Sequence, residues 1–339
     1  MERDPLKKPA TRQRLWYLFD EGILPNSAWG RAQQIAGYIP TKSEWIGFVD
    51  RLLLILGVLS VVAGVFFFFA FNWADMPRLA QFALVQGTVI VAAIVAFVAG
   101  LQTWVGRVSL LAAALLVGTS LGVVGQAYQT GADSWRLFQV WALLISGWVL
   151  ISRWNATYTL WMVLITTTIG LYWDQVVNTD WNTLELILIG VNLAFVLLWD
   201  ITARFSRFDF MQERWHLYLF AIPVVSYTTS FVIELIFDFS YRNNVPFYAI
   251  PLYIGVIGGL LAFYTLFKKD LAIIAINLLS VLVVLVCGIG RGLWESVVAS
   301  NNFALAGYGY FFVMGVITVM LTAGLTYMLR QLQRRWEVA

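Results

Sequence analysis

The sequence predicts an all-α fold, a polytopic membrane helix bundle of about ten transmembrane helices with a small N-terminal helical hairpin. Hydrophobic residues make up 60% of the 339 residues and charged residues make up 12%, whereas soluble proteins contain about 45–50% and about 25%. The apolar residues form continuous runs and do not alternate with polar ones. This pattern excludes a transmembrane β-barrel.

Composition also limits the chemistry that the chain can support. Because the net charge is only +3 and the basic residues are scattered, we expect no nucleic-acid partner. The single histidine, His216, and the single cysteine, Cys287, argue against a zinc or haem site and exclude a disulfide within the chain. We therefore expect no metal and no cofactor, and a serine-type catalytic triad would have to use His216.

Ten apolar runs are long enough to cross a bilayer, which takes about 20 residues of helix. They cover roughly residues 48–71, 79–101, 109–128, 136–152, 156–173, 183–200, 217–237, 247–267, 271–290 and 303–329. The fourth and fifth runs are short and joined by Ser-Arg-Trp-Asn, so one of them is a candidate for a tilted or re-entrant segment. We therefore divide the chain into a cytoplasmic head over 1–46, a membrane domain over 47–330 and a basic tail over 331–339.

The basic residues predict the orientation of these spans. With both termini in the cytoplasm, 18 of the 22 Lys and Arg residues lie on the cytoplasmic side and the remaining 4 on the outer side, as the positive-inside rule requires. Many of the 16 Trp residues lie near predicted span ends, which is typical of the interfacial aromatic belt.

The cytoplasmic head reads as two short helices. In TRQRLWYLFDEGIL, the residues Leu15, Leu18 and Phe19 share one helix face, and Gly22 is placed to end the helix. The second stretch, NSAWGRAQQIAGYI, begins with Asn26 and Ser27, which are both good N-caps. We interpret this hairpin as a lid against the bundle or an interfacial anchor, in preference to a docking module for a cytoplasmic protein partner.

Two related stretches lie at the predicted outer face. Residues 71–84 read FNWADMPRLAQFAL and residues 125–144 read GQAYQTGADSWRLFQVWALL. At an offset of 58 residues both contain Ala-Asp-x-x-Arg-Leu-x-Gln, and both enter the membrane from the outer side. The match predicts a duplicated helical hairpin over 47–101 and 109–152.

Each copy has an Asp before the span and an Arg one turn later. Asp75 and Asp133 suit the N-cap position, and Arg78 and Arg136 follow at i+3, beside the Asp. This is either a structural cap with a paired Arg or a polar vestibule that binds an anion or relays protons. The other vestibule candidates are polar and aromatic residues of the same stretches: Asn72, Trp73, Gln126, Tyr128, Gln129 and Thr130. Because an unpartnered amide is costly in hydrocarbon, we expect both Gln side chains to face the protein interior.

The order FNWADMPR and then GQAYQTGAD resembles the DUF2157 family of bacterial membrane proteins. The head segment from residue 15 is similar to that family's opening helix pair, and the resemblance extends to about residue 155. It implies a bacterial inner (cytoplasmic) membrane protein with this hairpin arrangement, and it implies no particular reaction. The family's motif residues correspond here to Asn72, Trp73, Pro77, Arg78, Gly125, Gln126, Tyr128, Gln129, Thr130, Gly131, Ala132 and Asp133.

Polar residues inside later spans are further candidates. Glu185 and Glu234 lie just inside the outer ends of the sixth and seventh spans, where they are either interfacial or functional. Asn192 and Asn277 lie deeper, and we expect them to form hydrogen bonds between helices.

Small residues and prolines predict how the spans pack and bend. Gly118 and Gly122 form a GxxxG pair that predicts close helix packing. Pro223 and Pro251 are expected to bend the seventh and eighth spans.

Three functions remain open. The first is a transporter or channel-like protein for a small molecule, ion or lipid, because ten spans with both ends inside is a common transporter plan. The second is a scaffold or sensor that does not transport and binds partner proteins, and the third is an intramembrane enzyme acting on lipid or envelope substrates. A cavity reaching the middle of the membrane would favour the first. The lipid bilayer is the expected partner in all three, and self-association stays open.

Cysteine labelling tests the orientation. A cysteine introduced as Asn178→Cys should react with a membrane-impermeant reagent added from outside, and one introduced as Phe210→Cys should not, since the two positions lie on opposite sides of the bilayer. The reverse labelling pattern would contradict this topology.

Overall fold

The computed structural model of the chain describes residues 12–72, 76–128, 133–177, 181–237, 248–298 and 303–338. Over these ranges it contains twelve α-helices and no strand. They are α1 (Arg12–Asp20), α2 (Asn26–Ile35), α3 (Lys42–Asn72), α4 (Arg78–Ala99), α5 (Trp104–Tyr128), α6 (Ser134–Ser152), α7 (Asn155–Tyr172), α8 (Trp181–Phe205), α9 (Trp215–Phe237), α10 (Ala249–Phe263), α11 (Leu271–Val298) and α12 (Phe303–Val338). Ten segments are long and apolar enough to cross a membrane, which confirms the predicted fold class.

The chain divides into two compact units. The first consists of Met1–Met76 and Ile90–Ala112, and the second of Pro77–Val89 and Ala113–Ala339.

In the first unit, α1 and α2 form the predicted hairpin. The rings of Trp16, Phe19 and Trp29 pack together with centroid separations of 4.8 to 5.8 Å. Gly22 adopts a positive φ of 70° just after α1, which is the conformation that glycine supplies at helix ends. The predicted cap is wrong by one position, because Pro25 occupies the N-cap of α2 and Asn26 is already helical.

The first membrane helix, α3, begins at Lys42, which is within the predicted head over 1–46. Thr41 and Glu44 form a capping box: the backbone N–H of Thr41 donates to Glu44 Oε2 at 2.7 Å, and the backbone N–H of Glu44 donates to Thr41 Oγ1 at 3.3 Å. This box begins a single helix of 31 residues, Lys42–Asn72, which runs through the predicted boundary at residue 46.

The second unit contains the larger apolar core, built mainly from α8, α9, α10 and α11. Its fully buried side chains include Leu217, Val224, Phe231, Ile257 and Ile273. A smaller cluster joins α6 to α7 through Ile145, Val149 and Leu164, and Tyr158 packs against both clusters.

The fourth and fifth spans are both long enough to cross the membrane. Segment Ser134–Ser152 has 19 residues, and Asn155–Val177 has 23 because α7 continues into a π-helical turn at Trp173–Val177. The reversal between them is made by Arg153 in the left-handed conformation, with φ of 45°.

The prolines and the tail differ from expectation. Pro223 lies inside α9 as predicted. Pro251 lies instead in the first turn of α10. Because a proline there removes no helical hydrogen bond, we expect no bend in α10. The 36-residue helix α12 runs on to Val338, so the described part of the basic tail is helical.

The predicted close packing occurs at one of the two glycines of the GxxxG pair. A Cβ on Gly118 would lie 2.4 Å from the Trp141 ring, whereas a Cβ on Gly122 would meet nothing within 4 Å. The indole N–H of Trp141 donates to the carbonyl oxygen of Ala114 at 2.7 Å, which holds the ring against α5. Trp141 therefore requires a glycine at position 118.

Replacing Gly118 by alanine should destabilise the protein. We expect Gly118→Ala to lower the free energy of unfolding by about 1–3 kcal/mol, the usual cost of overpacking. The matched control, Gly122→Ala, should leave the free energy unchanged or raise it slightly, because alanine is the better helix former. Unfolding in mixed micelles, followed by tryptophan fluorescence, measures both variants, and equal effects would contradict the packing argument.

Candidate functional site

The structure describes only part of the predicted outer-face motifs. Trp73, Asp75, Gln129 and Thr130 lie outside the described residues. Asn72 ends α3 and Arg78 begins α4, and their side chains are also outside what is described. The duplicated hairpin, which rests on superposing Asp75 and Asp133, therefore stays a prediction.

The second copy of the motif has the predicted backbone and different contacts. Asp133 occupies the N-cap position of α6, but its carboxylate makes no capping bond and accepts from the Trp135 indole N–H at 3.3 Å. The Arg136 guanidinium lies over the same Trp135 ring, 5.3 Å from its centroid. Gln126 is exposed instead of facing the interior as expected, and so is Tyr128.

The second unit also holds two buried carboxylates and two partly exposed cations, at the end of the bundle where α8 and α10 end and α9 and α11 begin. We call Asp200, Arg214, Lys268 and Asp270 the charge cluster. Asp200 lies in the last turns of α8, and only 2% of its side chain is exposed. Two carboxylates and two cations make the cluster neutral overall, which is how buried charges are tolerated.

The carboxylate of Asp200 is bound from three directions. Arg214 Nη2 donates to Oδ2 at 3.3 Å, and the Tyr264 hydroxyl donates to the same oxygen at 2.5 Å. Lys268 Nζ lies 3.4 Å from Oδ1 and also donates to the Asp200 backbone carbonyl at 3.0 Å. One residue of α8 is therefore tied both to α9 and to the end of α10.

Asp270 continues the network into α11. Arg214 Nε lies 2.7 Å from Asp270 Oδ2, but its hydrogen is not aimed at that oxygen, so the contact is electrostatic and not a directed hydrogen bond. The other oxygen accepts the backbone N–H groups of Ala272 and Ile273 at 3.0 and 3.2 Å. Asp270 is thus both an ion-pair partner and the N-cap of α11.

Local backbone geometry brings these side chains together. After α10 the chain makes a π-helical turn, Tyr264–Lys268, and then Lys269 takes the left-handed conformation with φ of 52°. This allows Tyr264 and Lys268 to face Asp200 while Asp270 begins the next helix. The sequence interpretation missed the cluster because it assigned the basic residues only to a side of the membrane and did not consider Asp200 or Asp270.

His216 lies beside the charge cluster and is fully buried. Its ring packs edge-to-face on Trp199 with centroids 4.3 Å apart, and neither ring nitrogen has a hydrogen-bond partner among the described residues. His216 is therefore enclosed by protein at the start of α9.

The two deep asparagines do not bond across helices as expected. Each donates to the carbonyl four residues earlier in its own helix, Asn192 to Leu188 and Asn277 to Ile273, both at 2.8 Å. Asn277 is fully buried, and within the described part of the chain its Oδ1 has no partner.

Hydroxyl groups continue the polar interior beyond the asparagines. Thr229 Oγ1 and Ser280 Oγ are 2.6 Å apart, and the Tyr253 hydroxyl lies 3.0 Å from Ser280 Oγ. These two contacts join α9, α10 and α11. Each hydroxyl can both donate and accept a hydrogen bond.

Glu185 lies at the opposite end of α8 from the charge cluster. Ser230 Oγ lies 3.4 and 3.5 Å from the two Glu185 oxygens, and Ser230 also donates to the Tyr227 carbonyl at 2.7 Å. Glu234 is exposed and repels Glu185 electrostatically. Glu185 and Asp200 are separated along α8 by about 22 Å at 1.5 Å per residue.

These polar residues lie on, or directly before, α8, α9, α10 and α11 of the second unit. On α8, Glu185, Asn192 and Asp200 recur at intervals of seven or eight, and on α11 Asp270 and Asn277 are seven apart, spacings that return to the same helix face. We call the following set the polar line: Asp200, Asp270, His216, Asn192, Asn277, Thr229, Ser280, Tyr253, Ser230 and Glu185. Among the described residues, no three His, Cys, Asp or Glu side chains converge as ligands of a metal ion would.

Comparison with known proteins bears on the N-terminal part of the chain. Residues 17–157 match the model of a family described as predicted membrane protein (DUF2157), which confirms the resemblance over that segment. No curated protein and no solved structure matches the chain. The charge cluster and the polar line follow residue 157 and lie beyond the matched segment.

Removing the Asp200 carboxylate should destabilise the fold strongly. We expect Asp200→Ala to lower the free energy of unfolding by about 3–5 kcal/mol, because it removes the buried carboxylate that Arg214, Lys268 and Tyr264 all contact. The matched control is Asp209→Ala, in the exposed turn after α8, and it should change the free energy by less than about 0.5 kcal/mol. Unfolding in mixed micelles measures both, and a mild Asp200→Ala effect would contradict the network described here.

Proposed function

We propose that this chain is a membrane transport protein that moves protons through the second unit, along the polar line. The observation that carries the proposal is the buried Asn277 amide, whose Oδ1 has no partner among the described residues. The proposal narrows the transporter hypothesis from a small molecule, ion or lipid to the proton.

The cost of polar groups in a membrane interior supports this proposal. An unsatisfied polar group in hydrocarbon costs several kcal/mol by order of magnitude, and the usual compensation is a hydrogen bond to another helix. Asn192 and Asn277 direct their donors to their own helices. Among the described residues neither amide bonds to another helix, which favours a role in hydrogen-bonding water along a proton pathway.

The chemistry of the polar line suits a proton better than a larger solute. Thr229, Ser280 and Tyr253 are connected hydroxyls across three helices, and a hydroxyl can accept one proton while giving up another. Titratable groups lie at both ends: Glu185 at one, and His216 beside Asp200 at the other. Intramembrane Asp, Glu and His residues in this arrangement are typical of proton relays.

The proposal includes the predicted orientation in a bacterial inner membrane. With both termini cytoplasmic, the charge cluster faces the cytoplasm and Glu185 faces outwards. The starts of α4, α6 and α8 then share the outer side, so a vestibule at Asp133 and Arg136 would lie on the side where protons enter.

One observation favours the second hypothesis, a scaffold or sensor. The head hairpin exposes Trp16 at 55% and Ile35 at 81%, and Tyr17 is exposed as well. Exposed apolar groups of this size are typical of surfaces that bind a protein or the membrane. The enzyme hypothesis has no comparable support among the described residues.

Proton flux into liposomes tests the proposal. The purified chain is reconstituted with a pH-sensitive dye inside, and a potassium gradient with valinomycin supplies the driving potential. Wild-type protein should acidify the interior, whereas Asn277→Leu and Glu185→Gln should slow the flux by at least about tenfold, because an interrupted proton step in hydrocarbon costs several kcal/mol. Thr322→Val is the matched control, since Thr322 is an exposed threonine on α12.

The possible outcomes separate the parts of the proposal. Flux no faster than in empty liposomes, under either sign of potential, would overturn proton transport. Wild-type flux in both polar-line variants would overturn this pathway. In the same assay Asp133→Asn tests the vestibule, because it removes the charge while Asn suits the N-cap position about as well as Asp, so full activity would leave Asp133 without a role in transport.

A further inference from the structure

A second feature of this unit lies apart from the polar line, between the last turns of α12 and the facing parts of α10 and α11. These helices line an open cavity of about 290 Å³. Five of its lining residues are apolar: Leu261, Ile274, Leu278, Met328 and Leu332. Arg335 and Gln331 line it at the end of α12. The cavity therefore has an apolar body and a cationic mouth.

The cavity runs from the helix ends into the membrane. Met328 and Arg335, which both line it, are seven residues apart on α12, which corresponds to about 10 Å of helix. Ordered water is a poor occupant of this cavity, because each water needs about two to four polar partners and most of the lining residues are apolar. An aliphatic chain fits an apolar channel that opens at the level of a membrane interface.

The mouth carries positive charge. Among the described residues, no ion pair includes Arg330, Arg334 or Arg335. Lys269, which follows α10, is exposed at the same end of the bundle. Guanidinium groups bind phosphate oxygens with paired hydrogen bonds, and basic pockets between transmembrane helices recognise anionic lipid headgroups.

We propose that this cavity binds one anionic phospholipid, with its phosphate on the Arg335 guanidinium and part of an acyl chain among Leu261, Leu278 and Met328. Gln331 lies at the rim, where its side-chain N–H donates to the Tyr327 hydroxyl at 2.7 Å. The proposal is independent of proton transport, because none of these residues belongs to the polar line.

Native mass spectrometry of the purified full-length chain tests the proposal. The probes are phosphatidylglycerol, phosphatidylcholine with the same acyl chains, and glycerol 3-phosphate. Arg335→Ala should weaken phosphatidylglycerol binding by about tenfold, the effect of losing one charge-assisted hydrogen bond. Arg334→Ala is the matched control: it removes the same charge one residue away, at an exposed position that does not line the cavity.

A second variant tests the acyl chain without changing charge. Leu278→Trp fills the cavity and should reduce phosphatidylglycerol binding as strongly as Arg335→Ala. We also expect phosphatidylcholine to bind more weakly to the wild-type chain, and glycerol 3-phosphate not to compete.

Four results would overturn the proposal. Equal losses in Arg334→Ala and Arg335→Ala would indicate diffuse attraction to the basic end of α12. Equal binding of the two lipids would remove the role of the headgroup charge, and competition by glycerol 3-phosphate would reduce the site to a phosphate site. A wild-type dimer that Leu278→Trp dissociates, with lipid binding unchanged, would show that a second copy of the chain covers the cavity.

Discussion

The carboxylate of Asp200 is the group around which four helix ends in the second unit are arranged. A buried carboxylate without partners would cost more free energy than most contacts in the bundle supply, so Arg214, Tyr264 and Lys268 must all reach it. Arg214 also contacts Asp270, which caps α11. One desolvated charge therefore sets the register of α8, α9, α10 and α11 relative to one another.

That register has consequences deeper in the membrane. With the helix ends fixed, Thr229 meets Ser280, and Ser280 meets Tyr253. Further along, Ser230 approaches Glu185. The same constraint that satisfies the buried charges thus aligns neutral polar groups through the interior. In this way a stabilising feature at one end of the bundle supports the proposed function along its length.

Hydropathy predicted the fold well, because the bilayer requires long apolar helices and leaves few alternatives. It could not identify the charge cluster, since Asp200, Arg214, Lys268 and Asp270 lie at span ends, where most charges are interfacial. Which of them are buried depends on how helices pack against one another, and a single helix's periodicity does not contain that information. The recurrence of Glu185, Asn192 and Asp200 on one face of α8 was a usable signal. At the outer face, the sequence located the Asp133 cap position but not its contact with Trp135.

The π-helical turn Tyr264–Lys268 makes the connection between α10 and α11 intolerant of changes in length. A π-helical turn takes up an extra residue compared with an α-helix, and each residue added or removed rotates the following side chains by about 100°. A deletion there would turn Lys268 away from Asp200, and an insertion would do the same in the other direction. The number of residues between Tyr264 and Asp270 is therefore as constrained as the residue types that contact Asp200.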